Sequence, residues 1–231
     1  LKAGIYDKAI DCLERLSKND EYRLDALRSL LRIRCTEHDW EAAIESARRL
    51  EKEASEDHSA DIAHFHCELA ELAVKQKNPE AAEREVSLAL LEKPYSPRAL
   101  MLAGDFAFQK NQVKEAVEDW EKLRQHSEDH FPLVFSRLVK GYDALGDAAG
   151  AQAVIDYALN RFPTSEVVEQ AMKRAFKDKG QQAAAEIVSK GLSGHPTLGI
   201  LSVAMEFRKM IAPDDEQLQG LSEMLKKESD R

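Results

Sequence analysis

The sequence predicts an all-α protein made of repeated helix pairs, on three observations. Only ten Gly and seven Pro occur in 231 residues, which is too few for the many tight turns of an all-β sandwich or barrel. Good helix formers such as Ala, Leu, Glu and Lys abound. Apolar residues recur three and four positions apart, which is the spacing of one helix face.

Small residues recur at a nearly constant interval, which identifies the repeat. The intervals between them are 34, 39, 34, 35 and 33 residues, and this is the period of a tetratricopeptide repeat. We therefore predict a tetratricopeptide solenoid, a right-handed superhelix of about six to seven helix pairs. The recurring residues are Ala9, Ala43, Ala82, Ala116, Ala151 and Ala184.

Other positions agree when each of these small residues is numbered 20 in its repeat. Position 32 then falls on Pro94, Pro163 and Pro196, where a helix-ending proline is expected. Position 8 falls on Ala70 and Gly104, whose small size allows two helices to cross closely.

The chain divides into one array with a partial repeat first, over residues 1–23. The full repeats follow over 24–59, 60–96, 97–131, 132–164, 165–196 and 197–231. The predicted helix pairs are 24–37 with 40–54, 60–76 with 79–92, 97–110 with 113–126, 131–145 with 148–161, 165–178 with 181–192, and 197–211 with 214–228. The 39-residue interval needs five extra residues, and we place them at 51–58 in a lengthened second helix or loop.

Composition excludes several classes of function. A formal net charge of -9 disfavours general binding to nucleic acid, because an acidic surface repels phosphates. The three cysteines, at positions 12, 35 and 67, contain no Cys-x-x-Cys pair, which argues against a disulfide framework and for a reducing compartment. No phosphate-binding loop or Gly-x-Ser-x-Gly elbow occurs, so we expect a protein that is not an enzyme.

Leu1 falls at about repeat position 12, near the close of a first helix whose beginning is not in the sequence. We therefore expect the chain to be part of a longer protein.

Three local strings resemble a known family. Ala-Gly-Ile-Tyr-Asp-Lys-Ala at 3–9, Ile-Ala-His-Phe-His-Cys-Glu-Leu-Ala at 62–70 and His-Pro-Thr at 195–197 are similar to the lipopolysaccharide assembly protein B family, LapB, also called YciM. The similarity runs from about residue 1 to about residue 211.

This resemblance implies a non-enzymatic adaptor on the cytoplasmic face of the bacterial inner membrane. Members of the family present LpxC, the deacetylase of the lipid A pathway, to the membrane protease FtsH, and an inner-membrane partner antagonises them. The family carries an N-terminal membrane anchor and a C-terminal rubredoxin-like domain with zinc or iron. Neither is found in this sequence, so we expect this part of the chain to be soluble and to hold no cofactor.

The resemblance also implies functional roles for Asp7, His64 and His195. The family usually has Tyr where this chain has His66. Each role has a simpler alternative, because Asp7 would also cap a predicted second helix. His64 would also serve as a buried, hydrogen-bonded side chain, and His195 would also pack in a turn between repeats.

Repeat positions 2, 5, 9 and 12 line the concave groove in the general tetratricopeptide pattern. Arginines there would meet carboxylates of a partner, and apolar side chains would serve as anchors. The alternative is that these charges only keep the array soluble. The groove candidates are Arg28, Arg32, His64, Cys67, Glu71, Arg98, Met101 and Phe108.

His64, Cys67 and Glu71 also raise the alternative of a zinc site, since they lie at i, i+3 and i+7 on one helix face. We favour a groove contact or packing over metal binding.

Two other functions stay open. The array could be the substrate-docking part of a protein glycosyltransferase, although no nucleotide-sugar site is visible in these residues. It could also be a general scaffold.

Overall fold

The computed structural model describes residues 3–194 and 196–212. Within these ranges the chain forms twelve α-helices and a single 3₁₀ turn at Glu128–His130, with no strand. The helices are α1 Ala3–Leu16, α2 Arg23–Glu37, α3 Trp40–Ala54, α4 Ser59–Lys75, α5 Pro79–Glu92, α6 Pro97–Gln109, α7 Val113–His126, α8 Phe131–Ala144, α9 Ala148–Arg161, α10 Ser165–Lys179, α11 Gln181–Gly194 and α12 Leu198–Ile211.

These helices follow the predicted pairs closely, and the all-α tetratricopeptide fold is confirmed. α2 pairs with α3, α4 with α5, α6 with α7, and α10 with α11. The recurring small residues explain the spacing: Ala43, Ala82, Ala116, Ala151 and Ala184 are all buried, so neighbouring helices approach closely at each of them. The predicted last helix, 214–228, lies outside the described residues.

A shared turn joins the two helices of a pair. In four pairs the residue two positions before the second helix has a positive φ. These residues are His38, Lys77, Asn111 and Gly146. Three of these turns then continue with a capping side chain that accepts from a backbone N–H of the second helix. The capping residues are Asp39, Asn78 and Asp147.

The placement of the extra residues of the 39-residue interval was wrong. α3 has 15 residues against 14 in α5, and the loop at 55–58 has the same length as the loop at 93–96. α4 has 17 residues against 13 in α6, so most of the insertion lies in the first helix of the next pair. The cause is Ile62, which is fully buried against Ala43 and Ala47 and extends the helix at its start.

The chain divides into two compact units, residues 1–134 and 135–231, and the division falls inside α8. In the N-terminal unit three core clusters follow one another along the helices. They centre on Leu27 and Leu50, then on Ala47 and Ile62, then on Cys67 and Ala99. Each cluster joins neighbouring helices, so the core of this unit runs through the stack.

The C-terminal unit has a core of its own, shared by α10, α11 and α12. Its buried residues are Val168, Met172, Ala184, Val188, Ile200, Val203 and Phe207.

The turn between α3 and α4 is held by His58. Its Nδ1 lies 2.9 Å from Asp61 Oδ2, and its Nε2 lies 3.2 Å from Glu56 Oε2. Glu56 also binds Arg28 of α2. The hydrogen bond with Asp61 raises the pKa of His58, burial opposes it, and the bond with Glu56 adds to the increase. The charged imidazolium therefore links α2, the turn and α4.

We expect this link to weaken as the pH rises. A pKa raised in the folded state means that the contribution to stability is complete below about 6.5, the unfolded value, and is lost as the pH passes the higher folded value. The free energy of unfolding should fall by less than about 1 kcal/mol between about pH 6 and pH 8. Urea unfolding across this range measures it, and His58→Gln should flatten the slope. A variant that keeps the wild-type slope would refute the assignment.

Candidate functional site

The candidate groove residues of the N-terminal unit lie on α2, α4 and α6, the first helices of successive pairs. α4 and α6 contact each other directly, so side chains at equivalent positions in the two repeats meet. The best-defined meeting point is Arg98 of α6 with the exposed row of α4.

Arg98 binds three residues of α4. Its Nε and Nη2 lie 3.2 and 2.6 Å from Glu71 Oε1, and its Nη1 lies 2.5 Å from Glu68 Oε1 and 3.1 Å from His64 Nδ1. Burial alone would lower the pKa of Arg98, but the hydrogen bonds with Glu71 and Glu68 raise it. The guanidinium therefore stays charged and ties two repeats together.

The contact also fixes the tautomer of His64. An arginine Nη carries only hydrogens to donate, so Nδ1 of His64 must accept, and the proton of the neutral ring sits on Nε2. Nε2 lies 3.7 Å from Glu68 Oε1.

These bonds correct one prediction. Four of the five N–H groups of Arg98 are directed at acceptors on α4, so the side chain is not available for a partner's carboxylate as the sequence suggested. Glu71 is likewise engaged by Arg98.

His64 belongs to an aromatic cluster formed by the first residue of α3 and the first half of α4. Its ring centroid lies 6.3 Å from Trp40 and 5.9 Å from Phe65, and Trp40 stacks on Phe65 at 5.7 Å. Half of the His64 side chain is exposed, whereas Phe65 is buried. Exposed aromatic edges of this kind offer contact area to a protein partner.

Arg28 and Arg32 of α2 differ in their pairing. Arg28 binds Glu56, and its Nη1 lies 3.3 Å from Asp25 Oδ1. The hydrogen bond with Glu56 raises the pKa of Arg28. Arg32 is exposed, and its side chain has no ion-pair partner among the residues that the structure describes. Arg32 is thus the arginine of this row that is open to a ligand.

Cys67 lies beneath the groove and not on it. It is fully buried among Ala63, Ala89 and Ala99, and burial raises the pKa of its thiol to about 11. It therefore cannot touch a partner in this conformation. Zinc binds the thiolate, which this burial disfavours. In the described ranges no three His, Cys, Asp or Glu side chains converge as a metal site would require.

We expect the fold to be insensitive to chelators as a result. Excess EDTA should leave the melting temperature of the chain unchanged, because no bound ion would be lost. Differential scanning fluorimetry with and without EDTA checks this. A melting temperature lowered by EDTA and restored by zinc would show that a metal contributes to folding.

A cleft of about 360 Å³ opens beside the Arg98 contacts, between α4, the start of α6 and the 3₁₀ turn. Met101, one of the groove candidates, lies on its wall, and Leu133 beside it is 53% exposed. The cleft is lined by Ala60, His64, Ser96, Pro97, Arg98, Met101, His130 and Leu133.

Three other predicted residues lie away from this cleft. Phe108 is partly buried, with its ring 5.7 Å from that of Trp120, so it packs on the next helix. Asp7 is exposed in α1, which already begins at Ala3, and the prediction that it opens this helix is therefore wrong. α1 starts about one turn earlier than the equivalent helix α3, which begins at Trp40. His195 lies outside the described residues.

The C-terminal unit carries a more polar cleft of about 560 Å³ along α10. Arg174 at its centre binds Asp143, at 2.8 Å, and approaches Asp178. Lys173 and Lys177 line the same space. Because Lys173 is paired with Glu169, much of the positive charge of this cleft is already balanced.

Sequence reasoning missed Glu68 and Ser96. Glu68 lies one helical turn before the predicted Glu71, but no local pattern indicates that an arginine 30 residues away reaches both. Ser96 precedes Pro97, a pair that is typical of a helix start and could have been recognised.

Comparison with known proteins supports the expected resemblance. A scan against protein-family models gives no match. The similarity to lipopolysaccharide assembly protein B is confirmed: the chain is 24% identical to the Escherichia coli K12 protein over 221 residues, 96% of this chain. It is 23% identical to the Haemophilus influenzae protein of the same name over 222 residues.

The chain spans only part of these relatives, 57% of the length of the first and 55% of the second. Among solved structures, Pseudomonas aeruginosa PilF matches 95% of this chain and 99% of its own, with a TM-score of 0.50 and 16% identity. That likeness shows the tetratricopeptide fold alone. No helix of the described residues is long and apolar enough to cross a membrane.

Proposed function

We propose that this chain is the protein-binding repeat region of a regulator of lipopolysaccharide synthesis. In this proposal it acts at the cytoplasmic face of the inner membrane as an adaptor that does not catalyse a reaction. It presents the deacetylase LpxC to the protease FtsH, and an inner-membrane protein antagonises it. The observation that carries the proposal is the similarity to lipopolysaccharide assembly protein B along 96% of the chain.

The groove of the N-terminal unit supports a role in binding protein. It combines the exposed edge of His64 with Trp40, a cleft walled by Met101 and the half-exposed Leu133, and Arg32, which has no ion-pair partner within the described ranges. Aromatic, methionine and arginine side chains are enriched where proteins bind proteins. The Arg98 contacts hold α4 against α6, so this surface is largely formed before a partner arrives.

The natural full-length protein should capture purified LpxC and the cytoplasmic part of FtsH in a pull-down. Arg32→Glu should weaken capture of LpxC by about tenfold, since it replaces an exposed cation of the groove by an anion. Arg84→Glu is the matched control, because Arg84 is exposed on the second helix α5. It should bind as the wild type does.

Two results would contradict the proposal. Full-length protein that captures neither LpxC nor FtsH would overturn the function. Equal weakening by Arg32→Glu and Arg84→Glu would show that general charge, and not the groove, governs binding.

A further inference from the structure

Ser96 is a buried polar side chain at the edge of the cleft beside Arg98. It is 8% exposed, lines the cleft and precedes the first residue of α6. Its side chain makes no capping hydrogen bond, and the described part of the chain offers its hydroxyl no other partner. Although most of Ser96 is buried, its hydroxyl is not an inaccessible polar atom, so it can donate to a ligand in the cleft.

The helix that Ser96 precedes adds a further donor. α6 has 13 residues, and its first residue, Pro97, has no N–H. The next amide, of Arg98, belongs to the first turn, where no carbonyl within the helix accepts from it. The start of a helix is also the positive end of its dipole. Together with the Ser96 hydroxyl, the Arg98 amide suits an oxygen that carries negative charge.

The side chains that line the cleft are compatible with a negatively charged ligand. No carboxylate lines it, although the chain as a whole has a net charge of -9. Its ionisable residues are His64, Arg98 and His130. Glu68 and Glu71 offset the charge of Arg98 from the α4 side, so the neutral donors of Ser96 and of α6 would make the main contacts.

The apolar part of the cleft wall favours binding of a peptide over binding of a small anion. Met101, Leu133 and Pro97 present apolar surface directly beside the donors. A free small anion would leave this surface exposed to water, whereas an apolar side chain next to a carboxylate would cover it.

We propose that the cleft at the start of α6 binds a carboxylate of an extended protein segment, with an adjacent apolar side chain of that segment on Met101 and Leu133. The inference rests on the proposed protein-binding role but not on the identity of the partner. It deepens that role by giving the partner's chemistry, an acidic residue beside an apolar one.

NMR titration of the chain tests the proposal with two capped peptides. Acetyl-Gly-Leu-Leu-Asp-amide should shift the backbone amide signals of Ser96 and Arg98, which line the cleft. Acetyl-Gly-Leu-Leu-Asn-amide, which lacks only the charge, should bind about tenfold more weakly, as expected for the loss of a charged hydrogen bond. Acetate alone should also bind at least about tenfold more weakly than the Asp peptide, because it lacks the apolar contacts.

Variants assign the contacts. Ser96→Ala should weaken binding of the Asp peptide about fivefold, and Ser87→Ala should not, because the Ser87 hydroxyl already binds its own helix at Glu83 O. Met101→Glu should abolish binding by placing a carboxylate in the cleft, and it serves as the second variant if Ser96→Ala does not fold.

Equal binding of the Asp and Asn peptides would overturn the carboxylate assignment. Acetate that binds as tightly as the Asp peptide would overturn the protein-segment assignment. Wild-type affinity in Ser96→Ala and Met101→Glu would show that the peptide binds elsewhere. A chain that binds the Asp peptide but captures neither LpxC nor FtsH would keep this inference and overturn the proposed function.

Discussion

Replacing Gly104 with alanine is expected to destabilise the N-terminal unit by about 2–3 kcal/mol, the cost of overfilling a packed core. A Cβ at this position would lie 2.3 Å from Nε1 and 2.6 Å from Cδ1 of Trp120. Trp120 is only 2% exposed, so its indole has little room to move. Gly104 thus lets α6 pack directly against Trp120 of α7, in agreement with the small residue expected at repeat position 8.

Urea unfolding followed by circular dichroism measures the effect, and Gly194→Ala is the control. Nothing lies within 4 Å of a Cβ added at Gly194, the last residue of α11, so this change should be neutral or slightly stabilising. On a Trp120→Leu background Gly104→Ala should cost much less, because the indole is gone. A full cost on that background would place the clash elsewhere.

Replacing Leu50 with alanine is expected to cost about 2–4 kcal/mol, since it leaves a cavity in a core that relaxes only partly. Leu50 of α3 is fully buried and packs with Ile10, Leu27 and Leu30, so its side chain joins the first three helices. Loss of this contact should loosen α1 first, because α1 is packed on α2 at one end of the described chain.

The control is Leu91→Ala on α5, whose leucine is 76% exposed and should change stability by less than about 0.5 kcal/mol. Equal losses for the two leucines would contradict the assignment of Leu50 to the core. Hydrogen exchange of α1 provides an independent measurement of the local effect.

The repeat was predictable because each close helix crossing requires a small residue, and such residues recur at a regular interval in the sequence. A small residue at Ala43 or Ala116 is needed wherever two helices cross at close range, and both alanines are fully buried. The location of the five extra residues was not predictable in this way. A longer loop at 51–58 and a longer α4 give the same interval between Ala43 and Ala82, and only the burial of Ile62 against α3 decides between them.

The site was predictable in position but not in pairing. Periodicity placed His64, Glu71, Arg98 and Met101 on the same row, and the structure brings the first three together. Which of them bind each other depends on the distance between repeats, which no local pattern contains. Cys67 shows the same limit, because it lies three residues after the half-exposed His64 and three before the buried Ala70, and spacing alone does not say which side it joins.

Hydrogen–deuterium exchange of the chain with and without purified LpxC tests the central claim most directly, namely that the first helices of the N-terminal unit form the protein-binding groove. We expect slower exchange in α2, α4 and the first turn of α6 when LpxC is bound, with α3, α5 and α7 unchanged. Protection confined to the second helices, or no protection at concentrations that saturate capture by the full-length protein, would contradict the account.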